Sequence, residues 1–82
     1  MTKQDFINWA KSRGWKEDKY GHLQKTINDR EYRFKLSNVL ARYEVKVHHS
    51  AGNFLNEWVR LRSGYFKSLS IDSKGRILGL KQ

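Results

Sequence analysis

Arginine and lysine recur at alternate positions in three stretches of the sequence: Arg33 and Lys35, Arg42 and Lys46, and Arg60 and Arg62, with Trp58 two residues ahead of the last pair. In an extended chain, residues two apart point to the same side, so each stretch presents a cationic face if it forms a strand. Ammonium and guanidinium heads bind phosphate oxygens and displace counterions, and an exposed indole offers a flat surface for a base or sugar. His48 lies at the margin of this set, and among the nearby residues read as strand only Glu44 and Glu57 are acidic. A sheet with one side in water also needs polar residues, so alternation alone indicates only solvation. The bias toward one sign of charge points further, to a polyanion, because a face built only for solubility usually mixes both signs.

Catalytic groupings are scarce. His48 and His49 are adjacent, so on a strand their side chains point to opposite faces and cannot share one metal. Cysteine is absent, and no carboxylate stands at a recognisable ligand spacing from a histidine. Gly75 and Gly79 flank Ile77 and Leu78, but without the strand, loop and helix order of a dinucleotide site. The chain therefore reads as a non-catalytic binder of nucleic acid, RNA or DNA, through Arg33, Lys35, Arg42, Lys46, Trp58, Arg60 and Arg62. The reading includes no metal and no small-molecule cofactor.

His22 has a distinctive setting. A helix, then Gly14 and Trp15, then Tyr20, Gly21 and His22 entering a strand resembles the opening of HicA-type toxins, small basic domains that cleave RNA with a strand histidine. The resemblance implies that His22 acts as general acid or base in an RNA-cleaving enzyme; on chemistry alone, an imidazole flanked by Lys19 and Lys25 could move a proton beside a phosphate. It covers about residues 5 to 27. Those toxins close with a helix after three strands, whereas residues 57 to 80 read as strands here.

Composition sets the frame for these residues. Seventeen Lys and Arg against eight Asp and Glu give a formal net charge of +9 in 82 residues. Split after Ala41, the halves carry nine basic against five acidic residues and eight against three, so no basic tail accounts for the surplus. A chain of this length hides only about 60% of its unfolded surface, which predicts one domain over residues 1–82 with a thin, aromatic core. The longest apolar run, Val39 to Ala41, is too short for a membrane span, and the lack of cysteine suits a reducing compartment, so a cytoplasmic protein is expected.

The elements that must position the cations follow from periodicity. Thr2 can cap a helix with Asp5 three residues on, and Phe6, Trp9, Ala10 and Arg13 recur at helical spacing until Gly14, with Trp15 folding back as part of the cap. Residues 22–27 suit an edge strand, and Asn28 and Asp29 suit a tight turn. Tyr32, Phe34 and Leu36 then alternate with Arg33 and Lys35, and Ala41, Tyr43, Val45 and Val47 alternate with Arg42, Glu44, Lys46 and His48. Residues 49–56 read as a loop with Phe54 and Leu55 tucked back. Beyond it, Val59 and Leu61 oppose Trp58, Arg60 and Arg62 in a strand that Gly64 interrupts or bends. Lys67 to Ile71 and Arg76 to Leu80 flank a turn at Asp72 to Gly75. The sum is an α+β fold, an N-terminal helix packed on an antiparallel sheet of about five strands. A protein partner anchored by Trp58 and Phe66, or homodimerisation through an open edge strand, is the alternative use of such a surface.

Overall fold

A computed structural model of the chain describes residues 1–48 and 56–82. Of the expected loop over residues 49–56, His49 to Leu55, Phe54 included, lie outside the described residues and Asn56 belongs to a strand. The helix α1 (Lys3–Ser12) begins with a capping box: Thr2 accepts from the Asp5 amide at 3.0 Å, and the Asp5 carboxylate accepts from the Thr2 amide at 3.1 Å. These bonds satisfy amides that the first turn leaves without helical partners. At the other end, Gly14 N–H donates to Lys11 O at 3.1 Å and Trp15 N–H to Ala10 O at 3.0 Å, the paired closure that turns Trp15 back onto the helix. Trp15 is buried accordingly.

The main sheet is a fully antiparallel meander of β1 (Lys16–Glu17), β2 (Leu23–Ile27), β3 (Arg30–Leu36), β4 (Leu40–His48) and β5 (Asn56–Tyr65), in that spatial order. Asn28 and Asp29 join β2 to β3 with φ of 51° and 65°, the left-handed pair that matches the twist of a two-residue hairpin. Ser37 makes the next turn by accepting from the amides of Val39 and Leu40. The α+β arrangement is as expected, but its fifth strand is β1 rather than a piece of the C-terminal hairpin. That hairpin, β6 (Ser70–Ile71) and β7 (Ile77–Leu78), forms a separate two-stranded sheet.

Phe66–Ser68 form a 3-10 turn, which takes Lys67 and Ser68 out of the strand expected from Lys67 to Ile71. The turn lets Phe66 and Leu69, three positions apart, both enter the core, which an alternating strand would not allow. β5 runs through Gly64 unbroken, because Gly64 faces Ala41 where Leu69 and Gly79 pack so close that a Cβ would meet them at 2.9 and 3.0 Å. The irregularity falls three residues earlier, at a β-bulge. Tyr43 pairs with Arg62 and Glu44 with Arg60, leaving Leu61 as the extra residue.

The core is the contact of Phe6, Ile7 and Ala10 with Leu23, Phe34, Leu36 and Ala41, closed by Trp15, Phe66 and Leu69. Phe34 is its centre: the Phe6 ring meets it edge-on at 4.9 Å, and Trp15 and Tyr43 lie at 4.6 and 4.9 Å. A ten-residue helix is about 15 Å long, whereas the ten residues of β5 extend for about 33 Å. The helix therefore covers one end of the sheet's inner face. Ile27, Val59 and Leu61, toward the other end, stay exposed, and the molecule measures 43 Å along its longest axis.

Candidate functional site

Side chains of directly paired residues project to the same side of an antiparallel sheet, so the register sorts the outward face into rows across the strands. In one row Gln24, Arg33, Glu44 and Arg60 are neighbours on β2, β3, β4 and β5. Arg33 donates to Glu44 Oε1 through Nε at 2.8 Å and Nη2 at 2.6 Å, with only 18% and 6% of the two side chains exposed. Trp58 lies over the Arg33 guanidinium at 4.3 Å, so one face of its indole is occupied. In the next row Lys46 pairs with Glu31 at 3.3 Å and sits 5.9 Å from the same indole. Arg33, Lys46 and Trp58 thus form a neutralised, partly buried patch.

The third row is different. Lys35 pairs with Arg42, Arg42 with Ser63, and Ser63 with Lys81, which the C-terminal segment lays along the β5 edge through two 2.8 Å backbone hydrogen bonds. At about 4.8 Å between strands, the row spans roughly 14 Å. It holds three cations, one hydroxyl and no carboxylate. Lys35, Arg42, Arg60 and Lys81 are exposed, and none of them has an ion pair among the described residues. Arg42, Arg60 and Lys81, with Ser63 and Ser68, line an open groove of about 460 Å³. Like charges directly across a strand pair repel, so this arrangement costs stability unless an anion lies over it.

The groove depends on a tight backbone crossing beneath it. Gly79 has φ of 105°, and a Cβ there would lie 2.5 Å from the Ser68 carbonyl oxygen. Both the backbone region and the space exclude a side chain. Gly79→Ala is expected to destabilise the fold by about 2 to 4 kcal/mol, from left-handed strain plus displaced backbone. Chemical denaturation measures this, and a loss under 1 kcal/mol would mean that the Lys81 segment is not held as described.

Of the residues expected on one cationic face, Arg33, Lys35, Arg42, Lys46, Trp58 and Arg60 do share the outward side. Arg62 does not. The bulge at Leu61 returns Arg62 to the Tyr43 position, on the side of the sheet that carries the helix. There it borders an aromatic cleft of about 520 Å³ with Trp9, Trp15, Tyr32, Tyr43 and Leu61. Burial pushes the Tyr43 hydroxyl above its usual value, Tyr32 adds to this, and the Arg62 charge opposes it. Lys81 joins the outward side as well. Its position opposite Leu80 in the alternation is a signal in the sequence, but its pairing with Ser63 is not.

His48 is exposed at the end of β4, and among the described residues no group of three or more metal-ligating side chains converges. His22 is half-buried and tied to the backbone: its Nδ1 accepts from the Leu36 amide at 3.0 Å, and its own amide donates to Asp18 Oδ1 at 2.9 Å. Burial works to raise the Asp18 carboxyl, but amide donors from His22 and Tyr20 outweigh it and hold the group below the ordinary value of 3.8. The folded pKa being depressed, this carboxylate supports its turn above that value and loses its effect as the pH falls through the folded pKa. These bonds give His22 and Asp18 a joint structural use, and after β4 the described residues contain strands and a 3-10 turn rather than the closing α-helix of the HicA pattern.

Phe66, the expected second anchor for a protein partner, is 4% exposed and belongs to the core. One of the sheet's two edges is also blunted: β5 carries the bulge, bears Arg60 and Arg62, and is capped at Ser63 by Lys81. Among the described residues no helix is long and apolar enough to cross a membrane. No protein-family model, curated protein or solved structure matches this chain.

Proposed function

We propose that the protein is a non-catalytic nucleic-acid-binding module that holds backbone phosphates along the row of Lys35, Arg42 and Lys81, with Arg60 beside it. The observation that supports this reading is the division of charge on the outward face. Arg33 and Lys46 have carboxylate partners, whereas the row beside them holds three cations and no carboxylate, two of those cations lining a groove with Arg60, Ser63 and Ser68. An ordinary solvated face would not leave like charges paired across strands. The +9 surplus supplies the long-range attraction that brings a polyanion to the row. The cysteine-free composition suits such a role in the cytoplasm.

The test is a salt titration of binding to a labelled twelve-nucleotide single strand, DNA and RNA in parallel, followed by fluorescence anisotropy. Three or four neutralised phosphates give a logarithmic slope of about −2 to −3, or a roughly twenty- to fifty-fold loss of affinity between 50 and 200 mM salt. Failure of both nucleic acids to bind at 50 mM would remove the proposal.

A further inference from the structure

We infer that the aromatic cleft on the helix-bearing side of the sheet receives an unstacked nucleobase from a single strand whose phosphates lie on the outward row. This rests on the phosphate-binding reading above and adds a second, chemically distinct contact. The cleft has three features of a base site. Its walls are flat rings: Tyr32 and Tyr43 lie parallel, 8° apart with centroids 5.5 Å from one another, and the Trp9 indole is held in place by donating to Gly75 O at 2.7 Å. Both tyrosines and Trp9 are only partly buried, unlike Phe6 and Phe34 beneath them. The one formal charge on a side chain of the lining is the Arg62 guanidinium, suited to stacking on the face of the inserted base.

The two sites adjoin around one edge. The bulge sends Arg60 to the outward groove and Arg62 to the cleft, although the residues are two apart. The C-terminal segment divides the same way, with Gly79 and Lys81 lining the groove and Leu80 and Gln82 lining the cleft. A single strand crossing the β5 edge can therefore keep its backbone against cations and turn one base inward. A duplex cannot, because its bases are stacked and paired. A second copy is a poorer occupant: each chain carries +9, and a symmetric contact through this patch would bring the Arg62 side chains of both copies into it.

The experiment compares a thymidine twelve-mer with an abasic twelve-mer of equal length and charge, binding to the wild type and to Arg62→Ala at low salt. Arg62 is exposed, so its loss spares the core. The wild type should bind the thymidine strand about tenfold more tightly than the abasic one, and Arg62→Ala should shrink that ratio to under about threefold. Equal binding of both strands by the wild type would overturn the base site while leaving the phosphate row intact. Equal binding accompanied by a dimer in sedimentation equilibrium would assign the cleft to a second copy. A preference undiminished in Arg62→Ala would place the base elsewhere and also overturn the proposal. Absence of binding to either strand would instead count against the phosphate reading itself.

Discussion

Glu44→Ala is expected to destabilise the protein by about 3 kcal/mol, near the lower end of the range for breaking a buried ion pair. Glu44 is 5% exposed and accepts two hydrogen bonds from Arg33, which Trp58 covers from above. Removing the carboxylate leaves a guanidinium beneath an indole with no acceptor, and its 18% exposure allows only partial rehydration. With a urea m-value of about 1 to 1.5 kcal/mol per molar, the midpoint should fall by about 2 to 3 M. The double variant Arg33→Met with Glu44→Leu should recover most of the loss, because it removes both charges and keeps the volume. A midpoint shift under about 0.5 M for Glu44→Ala would show that Arg33 finds water or another acceptor.

The second large effect concerns affinity. Reversing Lys35 and Arg42 together, as Lys35→Glu with Arg42→Glu, should weaken binding to the twelve-nucleotide strand by about a hundredfold or more. Each charge-assisted contact contributes about 1.5 to 3 kcal/mol, and the salt slope should drop by about 1.4 for the two phosphates released. Both residues are exposed, so folding should survive, as circular dichroism will check. Lys46→Ala is the control. Lys46 is engaged with Glu31 and Trp58, and its loss should change affinity by less than about threefold, leaving the slope almost unaltered. Comparable losses in the control and the double variant would mean that charge acts diffusely over the face and that the row has no particular role.

These contrasts show what a sequence carries and what it withholds. The capping residues Thr2 and Asp5, the turn at Asn28 and Asp29, and the alternation through β3 and β4 are local signals, and each forms as read. β1 left no trace because two residues, Lys16 and Glu17, are too short for a period of two. The bulge also lacks a local mark: Leu61 and Arg62 look like ordinary members of an alternating strand, and only the fixed pairing of β4 displaces one of them. Charge compensation is harder still to read. Arg33 and Glu44 are eleven residues apart, and whether they meet depends on strand register rather than on composition. The sequence thus exposes the cationic face but not its division into a neutralised patch and an open row.

The meander itself governs how this surface comes to exist. Each strand of the main sheet pairs with the strand next to it in the chain, and β2 meets β3 across a turn of only two residues. Closing such short loops costs little chain entropy, so the sheet can assemble by zipping outward from a hairpin without a long search. The exception is the bridge between Ser63 and Lys81, which must wait until the 3-10 turn and the second hairpin are in place. The cationic row is therefore expected to assemble in two stages, Lys35 and Arg42 with the sheet and Lys81 last, so that a chain shortened before Lys81 should carry only part of the row.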